Sequence, residues 1–514
     1  MILALLLLLA GGSDPAPFPA DADRRINAAR AAQHVAILAS DSMRGRDTPS
    51  PELERAADYI ADNFRTFGLE PVNGSYVHTY TLERLDLALP AVFTSVRGTD
   101  TVVALARQDF IPFEQTGEGS VASAPVVFCG YGITAPEYNY DDYAGVNVRG
   151  AVVLVLRGEP ENDDTVRFRG KRFTRHATTS EKLKVAKARG AVGVLVVDAL
   201  RTPRRPFVSG FPWPSLYPNL SRTVRPLVLP DTSKGIPVLH VGERVVSQLL
   251  DSLPRVVELT RRIDSTLVPQ SFVIEGARVS TTIRLERESV RLRNVMGMIR
   301  GAEVPNEYTV MGAHYDHIGV GKPVSGDSIF NGADDNASGT TGLLMAAEAL
   351  ASSSVRPPRS VVFVAFSGEE KGLLGSKAFV RTSPLPIENC VSMTNMDMIG
   401  RCENNKLSIG GNERCPDLMT LNEEENARLD RPFALAYDIE QYFFRSDQAS
   451  FAMKRVPVIF YFTGEHQDYH KLTDEVAKLD VPSLTEITRL ATRVMWRANH
   501  LKRTRYIPAG FEDN

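Results

Sequence analysis

From about Arg293 onward the chain alternates between two textures, and this alternation constrains its fold more than any other feature. Strand-like runs at residues 308–313, 361–366, 391–396 and 456–462 take turns with helix-like runs at 338–351, 373–382, 422–429 and 484–501. Short apolar runs separated by segments long enough to cross over as helices predict an α/β fold, a doubly wound mixed sheet with helices on both faces. Ligands of such sheets gather beyond the carboxyl ends of the strands. The residues that follow each run are therefore the place to look for chemistry.

His314-Tyr315-Asp316 follows the first run, Glu369-Glu370 the second and Asp397 the third, while Tyr469-His470 lies downstream of the fourth. Asp334-Asp335-Asn336 sits in the loop GADDNASG, just before the helix that starts near Ser338. One H-x-D or E-E pair arises by chance in many chains, but a metal-type ligand at every strand exit does not. His314 and Asp316 point the same way because strand period is two, so Asp316 would accept a proton from the imidazole nitrogen that does not bind metal. Neighbouring Glu369 and Glu370 project differently, which lets one bind a cation while the other faces the water held on it. Imidazoles and carboxylates without thiolate suit zinc, or manganese or cobalt. Five such groups exceed what one catalytic zinc with an open position takes, so two metals sharing a carboxylate are expected. His317 competes with His314 for a ligand role, and His466, four residues before His470, competes with it.

The runs GAHYDHIGVG, NGADDNASGTTG, VVFVAFSGEEKGLLGS, MTNMDMIG, SDQASF and DYHKLTDE resemble the zinc aminopeptidase family of di-metal exopeptidases, related to glutamate carboxypeptidase and the transferrin receptor. The resemblance covers about residues 293–501 in the family's order. NVRGAVVLVLRG and EKLKVAKARGAVGVLVVD resemble the protease-associated domain often inserted in these enzymes, and LASDSMRGRD with the helix after it resembles their N-terminal segment. The resemblance implies a zinc-exopeptidase (phosphorylase/hydrolase-like) sheet and an inserted β-rich α/β module. It implies two zinc ions per chain, His314 and Asp397 on one, Glu370 and His470 on the other, and Asp335 bridging them. Glu369 is then the general base, taking a proton from the attacking water and returning it to the leaving amine. His314 and His470 are accordingly preferred over His317 and His466, and the Asp335–Asn336 bond is expected to be cis. Tyr469 and Gln448 are the expected substrate contacts. Gln448 departs from the family, much of which has His after Ser-Asp, and this bears on substrate rather than on metal.

The rest of the chain falls into segments. Residues 1–22 read as a signal peptide and flexible start, because the apolar run at 2–10 is too short to span about 30 Å of hydrocarbon and small residues follow it. Residues 23–80 read as a helical segment packing on the catalytic domain, with Gly68 ending its second helix. Residues 81–285 form a β-rich module with runs at 124–129, 151–156, 192–197 and 236–241, containing the protease-associated domain at about 120–245. One helix interrupts it, opened by Thr178 with Glu181 and closed by Gly190. Residues 286–505 complete the peptidase domain. A chain of 514 residues suits roughly three domains. Lys+Arg 59 against Asp+Glu 62, net charge -3, gives no global attraction for nucleic acid or an anionic membrane. The basic stretches at 163–176 and 201–205 read as solvated faces. Four cysteines are too few for a disulfide framework, although Cys402 and Cys415 are close enough in sequence to be bridged.

The function these expectations support is an exported aminopeptidase acting on peptide substrates, with no stable membrane span. The alternatives are a carboxypeptidase or dipeptidase that grips a terminal carboxylate with arginines from the 167–175 region, and a non-catalytic peptide-binding protein.

Overall fold

The structure, a computed structural model, describes residues 17–508 apart from 107, 114, 165, 169, 171–173, 202–224 and 231–234. The run at 2–10 and the basic residues 202–205 lie outside the described residues. The chain separates into two compact units, one made of residues 1–80 and 291–514 and the other of Thr81–Val290. The flexible start expected up to residue 22 is replaced from Phe18 by packing. Phe18 stands edge-on to Trp496 at 5.9 Å, and Ala22, on the short helix Ala20–Asp23, is buried with Ile26 and Ala349.

The first unit's sheet includes β1 (Val77–Leu87) and β2 (Leu285–Ile299), which run past the unit's bounds at residues 80 and 291, and β3 (Val304–His314), β4 (Arg359–Phe366), β5 (Cys390–Met396), β6 (Lys406–Gly410), β7 (Ala434–Ala436) and β8 (Val458–Phe462). They line up in the order β1-β2-β4-β3-β5-β8-β6-β7. Strands β4, β3, β5 and β8 are parallel neighbours, whereas β2 runs antiparallel to β4 and β6 antiparallel to β8, so the sheet is mixed. The unbroken apolar run of β4 is explained by burial along its whole length. Its phenylalanines mark the two faces. The helices concerned are α1 (Ala28–Leu38), α2 (Pro51–Phe67), α3 (Gly339–Ala351), α4 (Leu374–Thr382), α5 (Pro416–Asn426) and α6 (Val481–His500). Phe363 meets Phe64 of α2 at 6.3 Å, while Phe366 meets Phe379 of α4 at 5.9 Å and Phe451 at 6.0 Å.

Local sequence places these helices. Ser50 caps α2 by accepting from the Leu53 amide, Pro51 opens it, and Gly68 closes it at φ +83°. Helix α3 packs tightly because Gly342 lacks a Cβ, which would lie 2.9 Å from Thr488 Oγ1 and 3.1 Å from Met396 Sδ. Helix α5 begins six residues earlier than residues 422–429 suggested. Pro416 supplies its first turn, and the Arg428 and Leu429 amides turn back onto Glu425 and Asn426, ending it before the apolar Leu429.

The second unit holds an eight-stranded sheet, in the order Asp100–Ala104, Val92–Arg97, Ser271–Ile283, Gly119–Cys129, Val152–Leu156, Gly193–Val197, Val238–Val241, Phe110–Pro112. Helix Thr179–Ala188 starts where Thr178 Oγ1 accepts from the Glu181 amide, and Gly190 follows at φ +85°. Two further helices, Glu243–Leu249 and Leu253–Thr266, correct the expectation of one. The second was hidden by its charges, although Val256, Leu259 and Ile263 bury one stripe. Arg167 pairs with Asp164, Arg175 with Glu137, and Arg201 with Asp264 and Glu161, so these arginines are tied to acids rather than merely solvated. All four cysteines are buried and unbridged. Cys402 donates to the Lys406 carbonyl, and Cys415 accepts from the Val458 amide. Among the described residues no helix is long and apolar enough to cross a membrane.

Phe366 fills the aromatic cluster under the strand ends. Phe366→Ala is expected to destabilise the protein by about 3–5 kcal/mol. The test is urea denaturation, where an unchanged midpoint would contradict this packing.

Candidate metal centre and its cleft

Parallel pairing brings the strand exits together. His314, the last residue of β3, is in register with Phe366 of β4, and β5 ends alongside, so His314, Glu369-Glu370 and Asp397 emerge at one edge of the sheet. Asp335 arrives from the loop 333–338, whose Asp335–Asn336 peptide is cis, in agreement with the resemblance. The Asn336 side chain ties that loop to the end of β5, donating to the Met396 carbonyl and accepting from the Met398 and Gly339 amides. Asp474 holds it from the other side, accepting from the Asp334 amide at 3.0 and 3.1 Å and from the Asp335 amide at 3.1 Å. The sequence singles out Asn336 only for its place in the loop and its peptide bond, and Asp474 not at all. The signal for Asp474 was its place inside DYHKLTDE, four residues after His470.

The side chains form two groups that share Asp335. His314 Nε2 lies 3.2 Å from Asp397 Oδ1 and 3.4 Å from Asp335 Oδ1. His470 Nε2 lies 3.0 Å from Asp335 Oδ2 and 3.3 Å from Glu370 Oε2. One oxygen of Asp335 thus faces each group, the arrangement a bridging carboxylate requires. Within each group the donor atoms all lie within 4.8 Å of one another, close enough to converge on one ion. His317, set aside in the sequence, joins the second group, with Nδ1 at 2.8 Å from Glu370 Oε1 and 3.8 Å from Asp335 Oδ2. His466 does not join either group. It pairs instead with Asp334 at 3.2 Å.

The expected partnership of His314 and Asp316 needs correction. The Asp316 carboxylate is 3.8 Å from His314 Nδ1, and the nearer acceptor, at 3.2 Å, is the Asp316 main-chain carbonyl. Asp316 spends its oxygens on Thr48 Oγ1, at 2.8 Å, and on the Glu369 amide, at 3.1 Å. It orients the Glu369 backbone as much as the imidazole. Asp397 is steadied by Ser446, whose hydroxyl donates to Oδ2 at 2.7 Å.

Electrostatics follow from this crowding of carboxylates. Asp335, Glu369, Glu370 and Asp397 stand together with few buried cations to balance them. Burial disfavours a charged His314, yet Asp397 and Glu369 override it and raise its pKa well above the ordinary value. Burial likewise opposes charge on His470, but Glu370 and Asp335 push its pKa up to about 10. Glu369 is shifted upward by burial and by Glu370 and Asp397, against the pull of His314. Such a site draws positive charge from wherever it is available. Nitrogen and oxygen donors without sulfur, an excess of buried anions and a shared carboxylate all fit divalent zinc-type ions.

The centre floors an open cleft. Met398, Phe460, Phe462 and Tyr442 give it an apolar wall, and at its rim Arg445 Nη1 is 3.2 Å from Glu465 Oε1. Tyr469 lines the cleft and stacks on His470, ring centres 3.8 Å apart. Gln448 does not reach it. Fully buried, its amide accepts from Asn395 Nδ2 and donates to the Phe443 carbonyl, each at 2.7 Å, so the expected substrate contact is replaced by an internal tie.

Residues 294–495 match the model of peptidase family M28, and residues 121–249 match the PA domain. A glutamate carboxypeptidase 2 homolog from Caenorhabditis briggsae is 27% identical over 313 residues, 51% of this chain and 36% of that protein. Transferrin receptor protein 2 of Homo sapiens is 27% identical over 290 residues, 51% of this chain and 34% of that protein. The chain therefore spans about a third of the length of these curated relatives. The solved aminopeptidase from Aneurinibacillus sp. strain AM-1 shares the fold, with TM-score 0.53 at 17% identity over 95% of this chain and 96% of its own. Residues 294–495 are thus similar to peptidase family M28, and residues 121–249 to the PA domain.

Proposed function

We propose that this chain is a two-metal aminopeptidase that hydrolyses the N-terminal bond of peptides. The observation that carries this reading is Asp335, whose two carboxylate oxygens face separate ligand groups on the floor of an open cleft. His314 and Asp397 would hold one zinc, Glu370 and His470 the other, with His317 placed to assist the second and Asp335 shared. When bound, the ions supply Lewis acidity toward the scissile carbonyl and charge to balance the oxyanion that develops there.

The remaining work falls to the chain's own groups. Glu369, with its side chain about 10% exposed, reaches the cleft while its amide is fixed by Asp316. It takes the proton of the attacking water and delivers it to the leaving amine. Burial and the neighbouring carboxylates raise its proton affinity, the direction a proton-shuttling carboxylate needs near neutral pH, and bound cations pull the other way. Burial first, then Asp335 and Glu370, keep the Tyr469 phenol protonated, so its hydroxyl is available to donate to a substrate oxygen. The rim cation Arg445 is already paired with Glu465, so it offers a substrate α-carboxylate less than a free guanidinium would. The apolar wall suits a hydrophobic first side chain. Export rests on the apolar run at residues 2–10, and recovery of the uncleaved chain from the cytoplasm would end that inference.

Glu369→Gln is expected to retain wild-type metal content by elemental analysis while turnover falls about 10²–10⁴-fold. Undiminished turnover would remove Glu369 from the base role. On paired substrates, the free-amine peptide should be cleaved and its acetyl-blocked form spared, with activity lost to a chelator and restored by zinc. Equal cleavage of both forms would exclude an aminopeptidase.

A further inference from the structure

The N-terminal segment sends one tetrapeptide, Gly45-Arg46-Asp47-Thr48, beneath the metal-binding loops. Gly45, at φ +66°, lets the backbone press against the Gly319 and Phe330 carbonyls, where no Cβ would fit. Arg46 is fully buried, and its guanidinium is spent on four main-chain carbonyls. Nε donates to Tyr315 at 2.8 Å, Nη1 to Asn331 at 2.9 Å and to Leu38, and Nη2 to Gly332 at 3.0 Å. Tyr315 lies directly after His314, and Asn331 and Gly332 open the loop that carries Asp335. One planar cation therefore fixes the distance between the two loops that supply the first group's imidazole and the shared carboxylate.

The flanking residues act on the same centre. The Arg46 carbonyl accepts from the His317 amide at 3.2 Å. Asp47 pairs with Lys371 at 2.8 Å, next to Glu370, and Thr48 donates to Asp316 at 2.8 Å. Burial pushes the Arg46 pKa down to about 10, while Asp316, Asp335, Asp474 and Glu370 hold it up, so the group stays charged at neutral pH.

We propose that residues 45–48, and Arg46 above all, form a positioning brace that sets the metal affinity of the centre, although they lie outside the matched peptidase segment 294–495. This rests on the two-metal reading, which the experiment tests separately. Full-length wild type, Arg46→Lys and Arg46→Met are stripped of metal and titrated with zinc against a competing chelator, while melting of each metal-free protein is followed in parallel. A wild type that takes up no zinc overturns the two-metal reading and the brace with it. Given wild-type binding, Arg46→Lys keeps the charge but cannot span four carbonyls, and is expected to bind zinc about 10–100-fold more weakly. A residue with only a structural role would lower the metal-free melting temperature and leave zinc affinity at the wild-type value, a result that overturns the brace. Should neither Arg46 variant fold, Thr48→Val decides by the same titration: weakened zinc binding supports the brace and unchanged binding overturns it.

Discussion

Repulsion among four carboxylates gathered at one sheet edge is the constraint on which the peptidase unit depends. Asp335, Glu369, Glu370 and Asp397 all converge within reach of His314 or His470, where low exposure strengthens every charge interaction. Left to itself this arrangement would spread apart. It is held by main-chain and side-chain ties from four directions: Asn336 to β5, Asp474 to the loop before α3, Ser446 to Asp397, and Arg46 to the loops on either side. These groups bring no ligand atom to the centre. Their effect is that the ligands need not be ordered by the metal, so less of the metal's binding free energy is lost to organising the site.

The parallel core of the sheet explains why such ties can work. Parallel strands start and stop at the same edge, so three successive exits deliver their loops to one place without a long excursion. Burial of β4 on both faces and the aromatic cluster of Phe366, Phe379 and Phe451 make that edge rigid, since packed cores resist displacement of even one methylene. A site on rigid strand ends with short loops is a precise site.

That division also decides what could be read from the sequence. Continuous apolar runs near β3, β4, β5 and β8 reveal the sheet, and a metal-type residue after each run reveals the centre, because both signals are local. Contacts made across the fold leave no local signal. Arg46 and Tyr315 are 269 residues apart, and nothing in LASDSMRGRD says which carbonyls the guanidinium will meet. His317 looks redundant beside His314 until the fold turns it toward Glu370. Gln448 looks like a cleft residue until Asn395 is seen to hold it inside. Helix Leu253–Thr266 was missed for a different reason, its charged face masking a narrow apolar stripe.

The rim of the cleft carries the last step. An exposed ion pair such as Arg445 with Glu465 adds about 0–1 kcal/mol to stability, so its value to the fold is small. Its electrostatic effect on an incoming ligand is larger. With Arg445 stacked over Tyr442, 4.9 Å from the ring centre, and paired with Glu465, the cation nearest the apolar wall is compensated. A terminal carboxylate would have to displace Glu465 to gain that guanidinium. On the aminopeptidase reading proposed above, a terminal ammonium meets no such competition. On that reading the compensated rim cation would set the preference for the amino terminus, because the metal ligands serve either reaction equally.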